Sequence, residues 1–166
     1  MGFRPVWALA VLATLAAAAT TSCAPRSSGT VKMQWGEPAG GVQVGLCVKE
    51  AAAGPRPRFA LVFAVRNAGD KPVRALRLAA RSGYWGQKLP LEVAVAGKPC
   101  AYHGPTPGKA EAPPPDAYVK LAPGAEDSAE AVMSPEHWGL QPPFAADVTF
   151  VFGPARSGPV RIQAGR

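Results

Sequence analysis

The chain has 166 residues, 18 of them glycine and 19 proline. That length supports one domain with a proper core, and the composition implies many turns without reaching the level of a disordered chain. Lys and Arg outnumber Asp and Glu by 18 to 11, for a formal net charge of +7. The basic residues, among them Lys32, Lys49, Arg56, Arg66, Arg74, Arg81 and Lys88, are scattered along the chain. No helix-turn-helix or single-strand stacking platform accompanies them, which argues against a nucleic-acid partner.

The chain begins with Arg4 and an almost unbroken apolar run from Val6 to Ala19. A charged start with roughly 7 to 15 apolar residues fits a secretory signal peptide, whereas a bilayer span needs about 20. Residues 1–22 are therefore set apart from the fold as a signal. Thr20-Thr21-Ser22-Cys23 resembles the end of a bacterial lipoprotein signal, which implies that Cys23 is acylated and becomes the new N-terminus. Ordinary cleavage after Ala17-Ala18-Ala19, with Cys23 left in a tail, is the competing reading. Several acyl chains would hold the protein on a membrane, since each buried methylene adds about 0.8 kcal/mol. Residues 23–34 read as a flexible tether, because Ala24-Pro25-Arg26-Ser27-Ser28-Gly29 lacks apolar periodicity. Residues 35–166 form the domain.

Within that domain no window free of Gly and Pro carries the apolar spacing of a long helix. Val42 to Val48 alternates, with Val42, Val44, Leu46 and Val48 on one side and Gln43, Gly45 and Cys47 on the other. Phe59 to Asn67 is the clearest strand. Both of its faces are largely apolar, which predicts a central, covered position. Asn67-Ala68-Gly69-Asp70-Lys71-Pro72 is a dense turn signal, and strands follow from Val73 to about Ala79 and from Leu89 to Val95. Residues 99–116 read as a Pro-rich loop. Tyr118 to Leu121 is a short strand closed by Ala122-Pro123-Gly124, where Pro then Gly suits a type II turn. Another strand runs from Ser128 to Met133. Ser134-Pro135 then reads as a capped start of about one helical turn before Gly139. Phe144 to Phe152 and Val160 to Ile162 complete the pattern. About seven short antiparallel strands with turn signals between them predict an all-β, immunoglobulin-like sandwich, with a closed barrel as the competing architecture.

The chemistry-bearing residues are few. Export to an oxidising compartment leaves Cys47 and Cys100 as a disulfide pair worth about 4 kcal/mol in the chain-entropy model. The other reading buries Cys47 and leaves Cys100 a free thiol in its loop. Two isolated cysteines make no zinc site, and His103 and His137 are the only histidines. There is no HExxH, GxSxG, GxxxxGK[ST] or GxGxxG pattern, and the carboxylates show no paired spacing. A non-enzymatic chain with no cofactor is the expectation. Trp35 and Trp138 are expected to plug the open edges of the core. Tyr84, Trp85, Tyr102 and His103 are the candidate exposed binding patch.

A family resemblance rests on particular stretches. Val95-Ala96-Gly97-Lys98-Pro99, Tyr102-His103-Gly104-Pro105, Tyr118 to Gly124, Trp138-Gly139-Leu140 and Val148-Thr149-Phe150 resemble the non-catalytic β-sandwich region of deuterolysin-like metallopeptidases. With Phe63 to Val73 they are also similar to immunoglobulin-like modules of bacterial envelope proteins. The resemblance covers about 100 residues and speaks to fold more than function. The protease's zinc-binding helix has no counterpart here, so no catalytic residue carries over. Together with the signal and Cys23, the expectation is a binding or structural module at the cell envelope, anchored to a membrane, whose partner is an envelope protein or polymer. An inhibitor or partner of an envelope protease is a further reading of the resemblance. The basic charge is either a solvated face or a contact with anionic lipid headgroups or cell-wall polymer. A protein binder predicts an aromatic patch at one sandwich end, and a polymer binder predicts basic residues gathered on one sheet.

Overall fold

The computed structural model describes residues 32–78, 89–105 and 113–165. The signal segment, Cys23 and the pair Tyr84-Trp85 lie outside the described residues. The described chain is all-β, with every ladder antiparallel. Its first sheet is built from β1 (Gln34–Trp35), β2 (Val42–Ala52), β3 (Arg58–Asn67) and β8 (Glu126–Met133), in that spatial order. The second sheet centres on β9 (Phe144–Phe152). Along one side of it run β10 (Ala155–Arg156) and β11 (Val160–Ala164), and along the other β5 (Leu91–Val95), followed by β6 (Lys98–Pro99). A separate ribbon pairs β4 (Val73–Leu76) with β7 (Tyr118–Leu121). The order β2-β3-β8 in one sheet and β5-β9-β11 in the other is that of strands A-B-E and C-F-G in an immunoglobulin-type sandwich. No ladder joins the two sheets among the described residues, so the barrel alternative is not adopted.

The alternation of β3 decides how the layers meet. Phe59, Leu61, Phe63 and Val65 point to the inner face and are buried with Val44, Leu46, Val93, Val148, Phe150 and Ile162. Phe63 meets Phe150 across the gap edge to face at 5.1 Å, and Phe59 meets Phe144 at 6.3 Å. Aromatic pairs in this geometry gain from ring quadrupoles as well as from area removed from water. Trp138 closes one edge of this core at 5% exposure, as its position beside a strand predicts.

Trp35 departs from expectation. It lies over the outer face of the first sheet, where a side chain on Gly45 would fall 2.9 Å from its ring and 2.6 Å from Met33 Cγ. Ala64, opposite Gly45, is consequently fully buried although it faces away from the main core. Arg66 stacks on Trp35 at 4.4 Å and donates to the side-chain oxygen of Gln43, which in turn donates to Gly36 O at 2.7 Å. The outer face of the sheet thus has a small core of its own.

That arrangement also explains the thiols. Cys47 and Cys100 are both free, which corrects the expected disulfide. Cys47 sits opposite Val62 on the outer face, buried, whereas Cys100 follows β6 in the second sheet and packs against the inter-sheet core. A layer of sheet separates the two chain positions. Burial pushes the Cys47 thiol above its ordinary pKa, which keeps it protonated and unreactive.

Two local expectations change as well. The strand predicted to reach Ala79 stops at Leu76, after which Leu78 N donates to Asp127 Oδ2 at 2.7 Å and its side chain is fully buried. Ser134 does not cap: residues Pro135–Trp138 form a 3₁₀ turn without a side-chain cap bond, ended by Gly139 at φ 68°. The turn Ala122 to Ala125 does form, with Ala125 N donating to Ala122 O at 2.9 Å and Gly124 at φ 76°.

Asn67 ties the first sheet to the ribbon. Its side-chain nitrogen donates to Lys71 O at 2.8 Å and Leu121 O at 2.9 Å, and its side-chain oxygen accepts from Gly69 N at 2.9 Å. Its backbone N donates to Ala125 O and its carbonyl accepts from Gly124 N. A buried amide satisfied on every side costs little, but the groups it serves become expensive when it is removed. Asn67→Leu is expected to lower unfolding free energy by about 2 to 3 kcal/mol, read as a shifted urea midpoint.

Candidate functional site

The ribbon of β4 and β7 carries the site. Val73-Arg74-Ala75-Leu76 and Tyr118-Val119-Lys120-Leu121 each alternate, so one face of the ribbon packs inward and the other looks out. Ala75 and Leu121 are buried in the core, with Val73 and Val119 packed against it. The outward positions are Arg74 and Leu76 on one strand, and Tyr118 and Lys120 on the other. Pro72 and Pro115 flank them, and neither has an N–H to extend the ladder.

Register makes this face unusual. Arg74 lies directly opposite Lys120. The bond from Arg77 N to Ala117 O, at 2.9 Å, sets the alternation of narrow and wide pairs, and it places Arg74 and Lys120 in a pair not hydrogen-bonded to each other. In such pairs the Cα atoms are roughly 4.5 Å apart and the side chains closest, so two like charges there repel. Arg74 relieves part of that by lying over the Tyr118 ring, 4.1 Å from its centroid. Lys71 just before β4 and Arg77 just after it are also exposed cations.

No acid compensates them among the described residues. The ion pairs there are Lys49 with Glu130 at 2.6 Å, Arg156 with Glu92 at 3.1 Å and Arg161 with Asp147 at 2.9 Å. All three lie on the two large sheets. The cations of the ribbon face solvent without an ion pair, and Arg74 and Lys120 line a cleft of ≈ 330 Å³ together with Pro72, Pro115, Tyr118 and Val119.

The patch named from the sequence has a different character. Tyr102 is half-buried, its ring edge to face with Trp138 at 5.0 Å and with His137 at 5.9 Å. Its hydroxyl donates to Pro105 O at 2.9 Å, and burial pushes its pKa up, so it stays neutral. Gly104 fits against the cluster so closely that a Cβ there would fall 2.6 Å from Tyr102 Oη and from His137 Cγ. His103 N donates to His137 O at 2.6 Å while its side chain is exposed. Tyr102, His137 and Trp138 are therefore brought together as packing, and His103 joins them through its backbone while its side chain stays exposed. Tyr84 and Trp85 lie outside the described residues.

Among the described residues no three His, Cys, Asp or Glu side chains gather as a metal site. No described helix is long and apolar enough to cross a membrane. No protein-family model matches the chain, and neither does any curated protein.

The sequence signal for Arg74, Tyr118 and Lys120 was present as two short alternating runs, each with a cation pointing outward. What the sequence lacks is their pairing, because the strands are separated by β5, β6 and a Pro-rich loop. The like-charge pair has a measurable consequence. Lys120→Glu converts it to a cross-strand ion pair and is expected to stabilise the fold by about 0.5 kcal/mol, seen as a higher denaturant midpoint.

Proposed function

We propose that the chain is an exported, lipid-anchored, non-enzymatic binding module of the cell envelope that holds an anionic partner on the face of its β4–β7 ribbon. The observation that carries this reading is the Arg74–Lys120 pair, two cations facing each other with no carboxylate ion-paired to either among the described residues. Folding alone gains nothing from that juxtaposition, whereas an anion between the two side chains turns repulsion into two charge-assisted contacts. Export and anchoring rest on the charged, apolar start and on Cys23. A tether of about twelve residues, 23–34, in that reading keeps the module within roughly 40 Å of the membrane surface.

The reading favours an anionic envelope polymer over a protein docked on an aromatic patch, because Tyr102 and Trp138 are spent on packing.

Two measurements test it. In the native host, Cys23→Ser should move the protein from the membrane fraction to the soluble exported fraction, and unchanged fractionation contradicts the anchor. The same soluble variant should be retained on immobilised polyphosphate in a salt-sensitive way. Arg74→Ala with Lys120→Ala should weaken retention about tenfold, while Lys49→Ala with Arg161→Ala, which removes the same charge from paired positions, should change it little. Equal losses from both double variants would mean that net charge alone is responsible.

A further inference from the structure

Resting on the anionic reading of the ribbon, we infer that its ligand presents the negative group on a saccharide ring: an acidic sugar residue, carboxylated or phosphorylated, whose ring occupies the cleft beside Arg74 and Lys120. Charge alone needs no cleft, yet both cations line one. Its volume, ≈ 330 Å³, falls at the bottom of the range for small-molecule pockets and suits one ring rather than an extended side chain or a large aromatic system. Its apolar lining includes Pro72, Pro115 and Tyr118. These are flat, rigid, apolar surfaces of the kind that the C–H face of a pyranose covers, and they lose little side-chain entropy when covered.

Two cations from facing strands line the cleft. Arg74 is held by the Tyr118 ring beneath it, so its planar fork is already oriented and presents donors matched to a carboxylate or phosphate. Lys120, opposite, adds a rotatable ammonium that reaches either anion as a point charge. A flexible polyanion without rings would satisfy the cations but leave the apolar walls wet.

Two other clefts among the described residues fit this ligand less well. One of ≈ 260 Å³ between Pro57 and Pro142 carries Arg56 and Glu136 together, opposite signs that leave no net attraction for an anion. One of ≈ 370 Å³ beside Ala51, Phe59 and Ala164 has no charged side chain in its lining.

The test is an amide-shift titration of the Cys23→Ser chain with five small probes: galacturonate, galactose 6-phosphate, galactose, glutarate and inorganic phosphate. At least one acidic sugar should perturb Arg74, Tyr118, Val119 and Lys120 with an affinity about tenfold above both ringless anions, and galactose should leave these amides unmoved. Whichever acidic sugar binds more tightly identifies carboxylate or phosphate as the anionic group. Tyr118→Leu should erase the preference and Tyr118→Phe should keep it. If glutarate and phosphate bind these residues as well as the sugars do, the saccharide inference falls while the anionic reading stands. If no anion perturbs the ribbon, or galactose binds equally, both fall.

Discussion

The buried amide of Asn67 is the interaction on which the ribbon depends. It sits at the end of β3, where the chain leaves the first sheet, and bonds both to the turn leading into β4 and to the last residue of β7. A two-stranded ribbon is marginal on its own in water. Here, Asn67 fixes one end of it while Ala75 and Leu121 seal its inner face into the core. An aliphatic residue of similar size would fill the volume and leave the carbonyls of Lys71 and Leu121 without a donor. The polar residue is therefore part of the architecture.

Once the ribbon is held in register, its outer face is dictated. Arg74 has no choice but to face Lys120, and Tyr118 lies diagonally across to receive the guanidinium. Elsewhere on the described surface cations stand either in ion pairs, as Lys49, Arg156 and Arg161 do, or alone, as Arg56 and Lys98 do, whereas on the ribbon two of them face each other across a ladder. Exposed pairs of this type contribute little to stability, so their value here is as a contrast. The ribbon keeps a repulsive pair where an acid at one position would remove the repulsion. The sandwich end shows the reverse economy, with Tyr102, His137 and Trp138 satisfying one another and leaving little free surface.

Much of the fold was legible in the sequence because period-two alternation is a local signal. The faces of β2 and β3, the central place of β3, the turn at Pro123-Gly124 and the buried Trp138 all follow from residues within a few positions of one another. The single short turn before Gly139 is legible as well, and only its expected Ser134 cap bond is lacking. The failures share one cause, which is that pairing is not local. Trp35 covers Gly45 on the outer face because β1 adds to the edge of β2, and nothing near Trp35 announces that. Cys47 and Cys100 are a reasonable pair by count and compartment, yet they belong to different layers. The site was missed for the same reason: the opposition of Arg74 and Lys120 exists only in the ladder.

Hydrogen–deuterium exchange of the Cys23→Ser chain, with and without polyphosphate, tests the central claim most directly because it reports where an anion acts without altering the ribbon. The account predicts slower exchange confined to residues 73–77 and 118–121, the two strands that meet at Arg74 and Lys120. Protection centred instead on residues 101–104 and 135–140, or spread evenly over the paired cations of the two large sheets, would contradict it.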